Sequence, residues 1–235
     1  MSDILSPNRE ILESVAQELE TLLPEVVFIG GQVGELLISD LAAVRIRPTT
    51  DVDVIVSATS KLEYRSLEKR LVSLGFRNDQ SEGAPICRWL TKAGHKVDVI
   101  PVAELVLGFS NQWYAAVMER SEAYPLTDEL QIRIPTAPIF LATKWDAFLN
   151  RGAGDYLGSH DLEDLITVVA GRPEVLEEIG KETEDVREFL AEMARTCVEE
   201  PQFDYALQGA LPDVMIVSGL LGEIRARFEQ ISSLV

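Results

Sequence analysis

Asp51 and Asp53 open the run Asp51-Val52-Asp53-Val54-Ile55-Val56-Ser57. In an extended strand, residues i and i+2 project from one face, so the two carboxylates share a side while Val52 and Val54 point to the other. Carboxylates held that close repel each other unless something cationic lies between them. A hard divalent ion with oxygen ligands is the usual partner, most often magnesium beside substrate phosphates. Asp98 sits in a second run of the same kind, Lys96-Val97-Asp98-Val99-Ile100. A carboxylate among β-branched neighbours in a core strand is out of place unless it serves a site. If the two strands are neighbours, three carboxylates converge on one or two metal ions. The bland alternative is an edge strand whose Asp51 and Asp53 face water.

Gly30-Gly31 follows the short apolar run Val26–Ile29 and opens a helical pattern with Leu36, Leu37 and Leu41 on one face. A strand-to-helix turn of this kind gathers backbone N–H groups at a positive helix end, an anion site suited to a triphosphate. A tight turn needing positive φ accounts for the same glycines.

The elements that must position these residues are legible from periodicity. Ser6-Pro7, then Ile11, Leu12, Val15, Leu19, Leu22 and Leu23, read as a capped amphipathic helix ending near Pro24. Residues 51–57 read as a strand, and 60–74 as a helix with the capping box Ser60 to Glu63 and a stop at Gly75. Residues 85–90 and 96–102 form two strands around a turn at Ala93-Gly94. A helix near 111–120 and a strand at 131–134 follow. Beyond Pro138 the pattern is helix after helix: 138–150, 161–170, 173–197 with a break near Gly180, and 213–232. The expected class is α+β, with a mixed α/β domain over residues 1–136 and a helical domain over 137–235.

Composition narrows the function classes. Apolar residues make up 46% and charged residues 26% of 235, as in a globular protein. No run approaches the length of a membrane helix, and the start MSDILSPNRE lacks a secretory pattern, so no membrane role and a cytoplasmic location are expected. Cys87 and Cys197 belong to no Cys-x-x-Cys pair and read as reduced, partly buried thiols. The formal net charge of −18 argues against a large nucleic-acid platform, which needs a basic stripe. It suits a small molecule, a cationic substrate or a basic protein partner, or serves solubility alone.

In order, a strand, Gly30-Gly31, a helix, an Asp-x-Asp strand and a later strand Asp resemble the nucleotidyltransferase superfamily, the polymerase-β-like fold. The stretch Arg47-Pro48-Thr49-Thr50-Asp51-Val52-Asp53 is similar to the branch containing AbiEii-type toxins of toxin–antitoxin and phage-abortive systems. So is Lys144 in FLATKWDAFLNRG, followed by Ser159-His160-Asp161-Leu162-Glu163-Asp164-Leu165. The resemblance covers roughly residues 26–170. His160 departs from it, standing where relatives often carry a lysine.

The resemblance implies a nucleotidyltransferase-like mixed sheet with flanking helices and a C-terminal helical domain closing over the nucleotide. It also implies that Asp51 and Asp53 bind magnesium (or manganese) and that Asp98 completes the site as general base. Gly30, Gly31, Thr49 and Lys144 would contact the nucleotide, with Asp161 and Asp164 orienting it. Each of the last three has a plainer reading. Lys144, between Phe140 and Phe148 at i−4 and i+4, could be a snorkelling lysine, and Asp161 and Asp164 could simply favour a helix start.

The implied reaction moves a nucleoside monophosphate from a nucleoside triphosphate to an acceptor hydroxyl, with release of pyrophosphate. The acceptor, tRNA or a small molecule as in antibiotic-type enzymes, stays open, as does an antitoxin partner. A non-catalytic nucleotide-binding module is the alternative from another class.

Overall fold

The computed structural model describes residues 6–40, 44–152, 154–212 and 219–235. Leu41, expected on the face of a helix, and residues 213–218, the expected start of the last helix, lie outside them. The chain divides into two compact units: residues 1–33 with 48–135, and residues 34–47 with 136–235.

The first unit begins with α1, Pro7–Leu19. Its Ser6 cap accepts a hydrogen bond from the backbone N–H of Arg9, and proline occupies the first turn, where its missing donor costs nothing. A 3-10 turn, Glu20–Glu25, leads into β1, Val26–Ile29, every residue of which is buried. Then come β2 (Asp51–Val56), α3 (Lys61–Ser73), β3 (Arg77–Asn78), β4 (Arg88–Leu90) and β5 (Lys96–Pro101). The strand order is β1-β2-β5-β4-β3. β2 and β5 run parallel at the centre, and β1 and β4 flank them antiparallel, so the sheet is mixed.

Register decides which residues meet. Asp53 pairs with Asp98 and Val54 with Val99 across the parallel pair, while Arg88 pairs with Asp98 across the hairpin. One face therefore carries Asp51, Asp53, Asp98 and Arg88. The other carries Val52, Val54, Val97, Val99 and Trp89, all almost wholly buried. Each valine there contributes roughly 1.5–3 kcal/mol of burial. On that side the Tyr64 hydroxyl of α3 donates to the Val99 carbonyl at 2.8 Å, and burial pushes its pKa up. The Ser60–Glu63 capping box is present. Short helices α4 (Glu104–Leu107) and α5 (Tyr114–Glu119) and the antiparallel pair β6 (Ser121–Pro125) and β7 (Gln131–Pro135) complete the unit. The fold class is α+β, as expected, with α3 to α5 flanking a mixed sheet.

Helices α6 (Ala137–Arg151), α7 (His160–Gly171), α8 (Val175–Gly180), α9 (Glu184–Glu199), α10 (Phe203–Ala210) and α11 (Leu220–Ser232) build the second unit. α6 is buried at every position from Ala137 to Asp146, which makes it a central helix rather than an amphipathic surface one. The expected break near Gly180 falls between α8 and α9. Trp145 stacks on Phe148, Tyr156 meets Phe148 edge-on, and Phe203 meets Phe228 edge-on, so these aromatics form core. Residues 34–47 belong here as well. The backbone N–H groups of Ser39 and Asp40 both donate to the Gly171 carbonyl, and a Cβ on Gly171 would collide with Ile38 and Val44. No helix among the described residues is long and apolar enough to cross a membrane.

Candidate active site

The first unit brings three of the expected residues onto one face of the sheet. Asp51 and Asp53 alternate with the buried Val52 and Val54 on β2, and Asp98 on β5 stands beside Asp53. Asp98 is buried, whereas the side chain of Asp51 remains 39% exposed.

Arg88, on β4, was not among the expected residues. Its Nε donates to Asp98 Oδ1 and its Nη2 to Asp98 Oδ2, both at 2.8 Å. The same Nη2 donates to Asp51 Oδ2, also at 2.8 Å. This is a bidentate pair extended to a second acid, the strongest geometry a guanidinium offers. The hydrogen bonds to Asp98 and the charges of Asp98, Asp51 and Asp53 hold the Arg88 pKa above its ordinary value. The signal for Arg88 was present in the sequence. A hairpin centred on Ala93, closed by the Thr91 N–H to His95 carbonyl bond, sets position 88 opposite 98 by counting outward. A lone arginine in a strand did not prompt that count.

Gly30 has φ +83°, in the left-handed region that glycine tolerates. A Cβ built there would lie 2.1 Å from Asp53 Oδ2, so glycine is needed for the carboxylate to close on the turn. The positive φ agrees with the tight-turn reading of Gly30. α2 (Gly31–Leu36) spans only six residues and adds little dipole to the turn.

Next to the turn, Gln32 and Thr49 form a small polar knot. Gln32 is 1% exposed, and its Nε2 donates to the Thr49 carbonyl at 3.3 Å. The Thr49 N–H donates to Asn8 Oδ1 of α1 at 3.0 Å. Gln32 Oε1 and Thr49 Oγ1 are buried without a hydrogen-bond partner. Such atoms cost about 1–3 kcal/mol each unless water or a ligand reaches them. Gln32 also went unnoticed in the sequence, since glutamine at a helix start is ordinary.

The donors on this face, carboxylate oxygens, are of the type a divalent ion takes. Among the described residues, no three acidic, histidine or cysteine side chains already converge as a ligand set. Instead a single cationic nitrogen, Arg88 Nη2, bridges Asp51 and Asp98. The face thus shares one cation, the Arg88 guanidinium, between two carboxylates.

The second unit gathers the remaining expected residues into a separate cluster. Lys144 Nζ lies 3.2 Å from Asp161 Oδ1 and 2.7 Å from Asp164 Oδ2. It also sits 5.7 Å from the Phe140 ring centroid. Arg151 donates twice to Asp161, and Arg47 contacts both Asp164 and Glu163. Burial pushes Asp161 up, but the Arg151 hydrogen bonds and the Lys144 charge outweigh it and leave its pKa below the ordinary value. Lys144 is thus no snorkelling lysine: it is 8% exposed and saturated by acids. The exposed His160 ring lies 3.3 Å from Glu163 and takes no part in that buried core. Cys87 and Cys197 are free and buried, and burial, with Asp98 second, pushes the Cys87 thiol up to about 12.

No protein-family model matches the chain, and no curated protein matches it. Among solved structures, the chain is similar to an antigenic nucleotidyltransferase-like protein from Paracoccidioides brasiliensis. The two are 16% identical with a TM-score of 0.47, over 86% of this chain and 93% of that one.

Proposed function

We propose that the chain is a metal-dependent nucleotidyltransferase that transfers a nucleoside monophosphate from a nucleoside triphosphate to an acceptor hydroxyl, releasing pyrophosphate. The observation that carries the reading is the in-register row Asp53–Asp98, with Asp51 on the same face and one cation bridging two of the three acids. The motif order Gly30-Gly31, Asp51-x-Asp53, Asp98 supports it, as does the resemblance those residues carry.

In this reading Asp51, Asp53 and Asp98 hold magnesium, with manganese as a substitute. The chemistry such an ion supplies is a lowered pKa of the acceptor hydroxyl and neutralisation of charge on the reacting phosphate. Asp98 receives the proton of the acceptor hydroxyl on an oxygen that Arg88 has released. Backbone N–H groups at Gly30 and Gly31 hold the triphosphate tail, and Thr49 offers its buried hydroxyl to the nucleotide. Contact of Lys144, Asp161 and Asp164 with the nucleotide competes with the ion pairs these residues make to one another. The acidic surface favours a small, cationic acceptor over a nucleic-acid platform. A macromolecular acceptor, as in AbiEii-type toxins, together with an antitoxin partner, is the second form of the proposal and rests on the motif resemblance alone.

The test uses the protein with magnesium, each of four α-labelled nucleoside triphosphates, and cell extract split into RNA, protein and small-molecule fractions. Label is expected in one fraction with the wild type and lowered at least about a hundredfold with Asp51→Asn/Asp53→Asn. Nucleotide binding without label transfer in any fraction would overturn the enzyme reading in favour of a binding module.

A further inference from the structure

Resting on the proposed metal site, we infer that Arg88 is a built-in counter-ion that occupies the place of the divalent cation and must be displaced for the ion to bind. Arg88 Nη2 is 2.8 Å from an oxygen of Asp51 and 2.8 Å from an oxygen of Asp98, so it stands where a shared ion would stand. Both Asp98 oxygens are engaged by the guanidinium, which leaves neither one's facing lone pair free for a metal or for a proton. Excluding one ligand by another at the same oxygens is direct competition, and competition lowers apparent affinity by the fraction of protein in the competing state.

Charge explains why the competition is winnable. One guanidinium supplies a single positive charge to the two carboxylates it bridges, and a divalent ion supplies two. Geometry allows the exchange: Arg88 reaches the acids from the neighbouring strand β4 on a flexible stem, while the acids themselves are fixed on the two central strands. Without an ion, Arg88 keeps Asp51 and the buried Asp98 from facing one another with no cation between them. The arginine therefore protects the metal-free protein and sets the threshold of cation concentration at which the site fills.

The experiment titrates Mn2+ alone into the full chain and reads free Mn2+ by electron paramagnetic resonance, with melting temperature measured in parallel. Wild type, Arg88→Met, Arg88→Lys and Asp51→Asn are compared. Arg88→Met is expected to bind Mn2+ about tenfold more tightly than wild type, to melt lower without the ion, and to gain more from it. Arg88→Lys, which keeps the charge but loses the bidentate fork, is expected to fall between them and serves if Arg88→Met does not fold. Wild-type binding that depends on Asp51, with neither Arg88 variant binding more tightly, overturns this inference and leaves the metal reading standing. Absence of Asp51-dependent binding in every protein overturns both.

Discussion

The two charged clusters of the molecule use the same side-chain types to opposite ends. In the first unit, Asp51, Asp53 and Asp98 share a sheet face, one guanidinium pairs with Asp51 and Asp98, and Asp51 is 39% exposed. In the second, Lys144, Arg47 and Arg151 face Asp161, Asp164 and Glu163, three cations to three acids. The balanced cluster joins α6 to α7 and to the segment ending at Arg47. It can be explained entirely as a lock. In the other, one guanidinium bridges two carboxylates on the sheet face. Under the proposed function, the bridged pair on the sheet face is the site and the balanced cluster is a strut.

The sharpest blow to the lock is Asp161→Asn, which leaves Arg151 beside a neutral group and takes one of two acids from Lys144, which keeps Asp164. Stability should fall by about 3 kcal/mol, the low end for breaking a buried pair, since Arg151 is largely exposed. Because the folded pKa of Asp161 is depressed, its contribution is present above the unfolded value, about 4, and is lost as pH falls through the folded value. Urea titrations should therefore show the full difference from wild type at pH 7 and a shrinking one below about pH 4. Asp51-dependent Mn2+ affinity should not move. If nucleotide affinity falls while stability holds, the second cluster is a site after all.

On the open cluster, Gly30→Ala forces φ +83° on an alanine and drives its Cβ into Asp53. A loss of roughly 1–2 kcal/mol from the backbone alone is expected, more where the carboxylate cannot move aside. Mn2+ affinity should fall with it, unlike in Asp161→Asn. Least of all, Ser60→Ala removes the cap of α3, away from both clusters, and should cost about 1 kcal/mol by thermal melting without touching Mn2+ binding.

Much of this was legible in the residues. The alternation in Asp51–Val56 assigned faces correctly because one face is fully apolar, and the turn at Ala93-Gly94 joined the strands it was expected to join. β6 was not foreseen: Ser121-Glu122-Ala123-Tyr124-Pro125 has little strand propensity and exists by pairing with β7. α10 was missed too, a short element following Pro201 and held by tertiary burial of Phe203 and Leu207. Asp51, Asp53 and Asp98 declared themselves by chemistry that a core strand does not need. Arg88 and Gln32 did not, since only the register and the burial of a particular atom distinguish them from ordinary residues.

The assignment of residues 34–47 to the helical unit bears on how the chain comes into being. As the N-terminus emerges from the ribosome, this stretch appears early, yet Gly171, whose carbonyl receives the Ser39 and Asp40 amides, and Asp164, which pairs with Arg47, come far later. The segment must wait, unsatisfied, until most of the protein has been synthesised. Neither unit is a continuous piece of chain, so a gene cut at the codon for residue 136 keeps the first unit entire and carries residues 34–47 away from the helical unit they complete.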